Sequence, residues 1–279
     1  MNAEVSDLLA LAEDAASAAG ELLVRRRRGL VQVAATKSSR TDVVTEADVA
    51  SERLIRERLL GARPEDGFVG EEGNETISAS GVEWVVDPID GTVNFLYGIP
   101  QFAVSIAARV DGVTTVGVVH NPVTGDTFTA GRGLGARLGQ HRIQVSDCTD
   151  PAVALVGTGF SYEAHVREHQ AAEVGRLLPA VRDVRRMGSA ALDLCAVARG
   201  QLDAYAERGL HPWDLAAGEL IVQEAGGRVE GIRGTRAGGQ LVIASSAGLF
   251  VALHEVLLQS GFGDWPLPDW PMWTLGCAP

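Results

Sequence analysis

The chain has 279 residues, 46% of them hydrophobic, and a formal net charge of −12. That apolar content supplies a large core and excludes disorder, while the acidic balance argues against a nucleic-acid surface, whose affinity comes from Lys and Arg releasing counterions. The longest uncharged apolar stretches, such as 113–119, fall far short of the roughly 20 residues a membrane helix needs, and residues 1–13 lack a basic signal-peptide start, so a cytoplasmic protein with no membrane partner is expected.

In chain order, the first expected element is a helix over 3–28 whose basic run 25–28, just before Gly29, complements a helix C-terminus. A polar stretch at 36–42 follows, then a helix over 46–60 with Leu54, Ile55 and Leu59 on its apolar side. Strands are expected at 82–87, 102–110 and 113–120. Asp111-Gly112 is a hairpin signal between the last two, which points to an antiparallel meander. The turn cluster Ser146-Asp-Cys-Thr-Asp-Pro151 then separates two halves, 1–148 and 149–262. In the second half strands and helices alternate: strands at 153–157, 184–187, 202–206 and 241–244, helices at 190–199 and 212–225. The last segment, 263–279, sets three tryptophans among prolines and is expected to pack on its own chain or on a partner. Cys148, Cys195 and Cys277 form no CxxC pattern and are expected to be reduced structural thiols.

The most informative run is Trp84-Val-Val-Asp-Pro-Ile-Asp-Gly-Thr-Val-Asn-Phe95. It ends an apolar strand in two carboxylates, Asp87 and Asp90, and continues into Gly91-Thr92. Carboxylates suit a hard cation such as Mg²⁺, and orphan N–H groups at a helix start suit phosphate oxygens. Two acids at a buried strand end would repel and raise each other's pKa unless a cation or donors compensate them. Two further acids stand in suggestive settings: Glu71 in Gly70-Glu-Glu-Gly73, and Asp214 in the first helical turn of His211-Pro-Trp-Asp-Leu-Ala-Ala-Gly218. Taken alone, Asp214 is a structural acid complementing the helix dipole, and Asp48 in Thr45-Glu-Ala-Asp48 is a helix cap. Taken together, Glu71, Asp87, Asp90 and Asp214 bring about −4 to one cleft. A phosphate dianion enters such a field only after about two Mg²⁺ ions have neutralised it, and two such ions can support in-line displacement at phosphorus.

These residues resemble the inositol monophosphatase family of lithium-sensitive, Mg²⁺-dependent phosphatases, over about residues 3–260. The run 84–95 resembles one family signature and Trp213-Asp-Leu-Ala-Ala-Gly-Glu-Leu-Ile-Val-Gln-Glu-Ala-Gly-Gly227 the other, with Gly70-Glu-Glu72 in order. The resemblance implies an α/β layered fold, the αβαβα sandwich, usually as a homodimer. It implies that Glu71, Asp87, Asp90, Asp214 and the Ile89 carbonyl bind two to three Mg²⁺ ions, that Gly91 and Thr92 take the phosphate, and that Asp48 pairs with Thr92 to position the attacking water. Glu72 would support this set from behind. Gly188, Ser189, Ala190 and Glu207, with Asp214, would contact the polyol hydroxyls, although Ser189 also reads as an N-cap and Glu207 as an exposed acid. The loop 37–40 would admit a further Mg²⁺, with Arg40 where many members have proline.

The implied activity is hydrolysis of myo-inositol monophosphate and similar polyol phosphates, in the bacterial SuhB-like branch of the family. Fructose 1,6-bisphosphate, histidinol phosphate and 3′-phosphoadenosine nucleotides are the alternative substrates. A regulatory binding protein that acts without catalysis is the alternative class.

Overall fold

The computed structural model describes residues 2–27, 33–36, 43–73 and 75–264. The loop 37–40, Arg28, Cys277 and the Trp/Pro-rich segment from 265 onward lie outside the described residues.

The first half runs α1 (Asn2–Arg27), β1 (Val33–Thr36), β2 (Val43–Thr45), α2 (Glu46–Ala62), β3 (Gly67–Gly70), β4 (Val82–Asp90), α3 (Thr92–Tyr97), β5 (Ala103–Val110), β6 (Val113–Asn121), β7 (Asp126–Gly131), β8 (Gly135–Leu138) and β9 (His141–Arg142). The second half runs β10 (Leu155–Thr158), α4 (Ala164–Leu177), β11 (Asp183–Arg185), α5 (Ala190–Ala198), β12 (Ala204–Glu207), α6 (Pro212–Glu224), β13 (Gly227–Glu230), β14 (Val242–Ser246) and α7 (Ala247–Gln259).

Strands β3 to β9 form one seven-stranded sheet in sequence order, antiparallel except for the β3–β4 pair. The β5–β6 hairpin turns on Asp111 and Gly112, both at positive φ (49° and 77°), the backbone that matches strand twist in a two-residue turn. The second sheet has five strands in the order β11-β10-β12-β14-β13, with β10 parallel to both neighbours.

Period-two alternation tells each strand which layer it faces. On β5, Val104, Ile106 and Ala108 join α1 and α2 in one core, while Ala103 and Ala107 face α5 and α6 in another. On β12, Tyr205 points into that same middle core, whereas Ala204 and Ala206 pack with Leu249, Phe250, Leu253 and Leu257 of α7 and Leu177 of α4. The layers are therefore α1/α2, seven-stranded sheet, α5/α6, five-stranded sheet, α4/α7: an αβαβα sandwich. The middle core draws residues from both halves of the chain.

Some expected boundaries shift. In place of a strand starting at 153, Asp150 caps a 3-10 turn at Pro151–Val153, accepting from the Ala152 N–H at 3.0 Å, and the strand begins at 155. The strand expected at 184–187 occupies 183–185, because the chain then turns toward Gly188 at φ 90°. Cys148 is half-buried and Cys195 buried, both free. No helix of the described residues is long and apolar enough to cross a membrane.

Candidate active site

In a regular strand, residues three apart point to opposite faces, so Asp87 and Asp90 should diverge. They do not, because β4 carries a bulge: Asp87 pairs with Ser105 and Asp90 with Ala103, three steps on one strand against two on the other. Pro88, which lacks an N–H to give to the ladder, sits in the bulge, and its carbonyl accepts from Ser51 Oγ at 3.1 Å. The Ile89 N–H turns back onto Asp87 Oδ1 at 3.0 Å.

The second half meets these acids with two helix N-termini. Asp90 receives Ser189 Oγ (2.5 Å) and the Ala191 N–H (2.7 Å) on Oδ2, and the Ala190 N–H (3.2 Å) on Oδ1. Ser189 is also the N-cap of α5, its Oγ accepting from the Leu192 N–H. The hydroxyl of Ser189 and the amide of Ala190 are thus committed to Asp90 and to the helix. Asp214, in the first turn of α6, accepts from the His211 N–H at 2.7 Å, the reciprocal half of a cap.

Gly91 ends the strand at φ 94°, where a Cβ would lie 3.0 Å from the carbonyl oxygens of Gln101 and Gly188, so glycine is required. Asn94 Nδ2 clamps this corner by donating to the carbonyls of Gln101 (2.7 Å) and Met187 (2.8 Å).

A cavity of about 410 Å³ opens over these elements. Its lining includes Glu71, Asp87, Ile89, Asp90, Gly91, Thr92, Gly188, Ser189, Ala190, Glu207 and Asp214, so every expected site residue but one reaches it. Asp87, Asp90 and Asp214 place carboxylate oxygens within 4.8 Å of one another, close enough to share a cation. Glu71 lies at the margin of this trio and is felt electrostatically by Asp87 and Asp214.

Burial, then the charges of Glu71, Asp90 and Asp214, push the Asp87 carboxyl well above the usual carboxylate range; burial and the Glu71 and Asp90 charges do the same to Asp214. Asp90 is raised less, to about 6, because the donors on α5 and the nearby Arg186 favour its charged form. Three acids that resist ionising together are a site short of positive charge. All the donors are hard oxygens, which fits Mg²⁺ or a similar divalent cation.

The exception is Asp48, buried behind Thr92. Its Oδ2 accepts from the Thr45 N–H (2.7 Å) and Thr45 Oγ1 (2.5 Å), closing the cap of α2, while its Oδ1 lies 3.0 Å from Thr92 Oγ1. The same carboxylate thus closes the cap and meets Thr92. Burial, only partly offset by the Thr45 hydrogen bonds, lifts its pKa to about 6. Glu72 does not line the cavity; its N–H donates to the buried Glu52 at 2.8 Å, which fixes the turn that carries Glu71.

Across the cavity stands Glu207, raised to about 7 chiefly by burial. Residues not anticipated from sequence complete this wall: Arg186, Gly159 and the segment to Glu163, and the stacked rings of His211 and Trp213 (centroids 4.8 Å apart, 7° between planes). Beneath, on α5, Asp193 is buried with Oδ1 unpartnered, and burial and Glu207 raise its pKa to about 9. An aspartate inside the apolar run Ala190–Ala198 was the available signal.

The profile of the inositol monophosphatase family matches residues 4–260. The chain is 48% identical over 244 residues to the inositol-1-monophosphatase of Mycobacterium bovis, covering 84% of this chain and 83% of that protein. It is 42% identical over 227 residues to the Nus factor SuhB of Pasteurella multocida, covering 81% and 85%. Among solved structures, the extragenic suppressor protein suhB from Bartonella henselae superposes with a TM-score of 0.85 at 37% identity, over 90% of this chain and 98% of that one. Layers, acidic trio and sequence agree: the chain belongs to the inositol monophosphatase family, a family of metal-dependent phosphatases.

Proposed function

We propose that this protein is a Mg²⁺-dependent phosphomonoesterase that hydrolyses myo-inositol monophosphate and related polyol phosphates to the polyol and inorganic phosphate. The observation that carries the reading is the convergence of Asp87, Asp90 and Asp214 at the floor of one cavity beside the Asp48–Thr92 pair. These three acids, with Glu71 and the Ile89 carbonyl, would hold two to three Mg²⁺ ions. When bound, such ions supply neutralising charge, a polarised phosphoryl group and an activated water.

The chain's own residues do the rest. Thr92 Oγ1 donates toward Asp48 Oδ1 or the Ile89 carbonyl, each at 3.0 Å, which leaves its lone pairs facing the cavity. There it accepts a proton from the attacking water and passes its own to Asp48. The amides of Gly91 and Thr92, at the start of α3, receive phosphate oxygens. Glu207 accepts from neighbouring polyol hydroxyls, and the 188–190 corner forms the facing edge, with Ser189 and Ala190 acting through their hold on Asp90. In this reading residues 1–148 bring most of the cation ligands and 149–262 the polyol wall.

A homodimer in the cytoplasm, sensitive to lithium, completes the proposal by family likeness. Phosphate release from a panel of myo-inositol 1-phosphate, fructose 1,6-bisphosphate, histidinol phosphate and 3′-phosphoadenosine nucleotides, with Mg²⁺ titrated, tests it. Release that needs no divalent ion, or a preference for another ester, overturns it. A second reading, binding to transcription machinery, rests on relatives such as the Pasteurella Nus factor. A pull-down of catalytically dead protein tests that one, with no captured partner counting against it.

A further inference from the structure

Strands β10 and β12 run parallel, with Gly157 opposite Tyr205 and Thr158 opposite Ala206, so Gly159 follows opposite Glu207. Tyr205 and Glu207, two apart on β12, share a face of the sheet. Each therefore stands beside a glycine. A Cβ on Gly157 would come within 3.2 Å of the Tyr205 ring, and one on Gly159 would fall on the Glu207 carboxylate itself. Thr158 between them donates to the Ala206 carbonyl at 2.8 Å and fixes the two strands against each other. Gly157-Thr158 at the end of β10 and the Gly159 that follows thus form a trough in which Tyr205-Ala-Glu207 lies.

Within the trough the fully buried Tyr205 hydroxyl donates to Glu207 Oε2. A carboxylate has about four acceptor sites, so this bond occupies one and orients the others. Glu207 lines the cavity and is only part-exposed, so its free acceptor sites face the space where a polyol would sit. The hydrogen bond also favours the ionised carboxylate against the burial that raises its pKa. A carboxylate held on a strand by a rigid phenol is better placed to discriminate than one on a loop.

We infer that Tyr205 is a positioning residue for substrate selectivity: with the Gly157–Gly159 trough it holds Glu207 in the orientation that accepts hydrogen bonds from two neighbouring hydroxyls of the substrate. This rests on the polyol phosphatase reading above.

The test compares Mg²⁺-loaded wild type, Tyr205→Phe, Glu207→Gln and the double variant on myo-inositol 1-phosphate and on phenyl phosphate, which has no hydroxyl beside the ester. Tyr205→Phe keeps the ring and is expected to lower the ratio of kcat/KM for the inositol ester over the phenyl ester about tenfold, through KM, as loss of a hydrogen bond to a charged group predicts. In the Glu207→Gln background, Tyr205→Phe should add no further loss of ratio. Gly159→Ala, which keeps the phenol but displaces the carboxylate, should reproduce the fall. A ratio unmoved in Tyr205→Phe, equal losses on both esters, or additive losses in the double variant overturns the inference while leaving the polyol reading intact. A wild type that cleaves phenyl phosphate but not the inositol ester overturns the polyol reading and this inference with it.

Discussion

Asp48 Oδ1 and Thr92 Oγ1 lie 3.0 Å apart although 44 residues separate them in sequence, and the same carboxylate closes the N-terminal cap of α2 through Oδ2. A single side chain is thus anchored by a helix end on one oxygen and set against Thr92 on the other, where the proposed proton relay needs a base. Thr92→Val removes the shared hydroxyl without disturbing that cap, and kcat is expected to fall by roughly 10² or more with little change in melting temperature. Because Asp48 must be ionised to accept a proton, and its pKa is lifted to about 6, kcat/KM should rise with pH through that region. Initial rates between pH 5 and 8 check both points.

Asp87 should behave as a liability that a cation converts into an asset. Its carboxyl titrates well above the ordinary range when folded, so stability in EDTA is fully present below the unfolded pKa of about 4 and declines as pH rises toward neutrality. Asp87→Asn keeps an acceptor for the Ile89 N–H and removes one of three repelling acids. The metal-free variant is expected to melt higher than wild type at pH 8, while the Mg²⁺-induced rise in melting temperature shrinks. Differential scanning fluorimetry with and without Mg²⁺ reads both directions.

Asp193 gives a second pH signature, independent of activity. A carboxyl at about 9 when folded binds a proton that the unfolded chain has released, so it costs stability increasingly from about pH 4 up to about 9. Asp193→Asn removes that dependence. It should stabilise the protein by at most about 4 kcal/mol at pH 7 and by much less at pH 5, as urea melts at the two values would show. Equal effects at both would mean that the acid is ionised in the fold.

Gly91→Ala meets two carbonyl oxygens and a left-handed backbone at once. The turn should shift at a cost of about 1–3 kcal/mol and carry Thr92 away from Asp48. A loss of kcat of at least about tenfold, beside a modestly lowered melting temperature, is the expected result.

The outer architecture was legible where period and turn chemistry agree, as in the meander closed by Asp111-Gly112 and the helix capped by Thr45. Helix α4 was not, because its buried positions include the polar Gln170 and Glu173, which erase an apolar stripe. Helix α7 carries Leu249, Phe250, Leu253 and Leu257 at helical spacing, yet it lies beyond the last element expected from sequence. In the site, the paired acids of 84–95 were visible because two carboxylates at a buried strand end have few bland explanations, whereas Asp214, which alone reads as complementing a helix dipole, stood out only beside the others and the family signature. That Asp87 and Asp90 share one cleft was legible too; the bulge in β4 that turns them the same way was not, since plain alternation separates them. Nor were Tyr205 and Asp193, whose significance depends on what a neighbouring strand or helix places beside them.

The grip of Ser189, Ala190 and Ala191 on Asp90 spans about a hundred residues and joins the seven-stranded sheet to α5. A nascent chain that has emerged only as far as residue 148 therefore carries Asp48, Glu71, Asp87, Asp90 and Thr92 but neither Asp214 nor the donors that orient Asp90. The acidic trio assembles only once α5 and α6 have docked on the seven-stranded sheet, so a cation held there would report that the middle layers have closed.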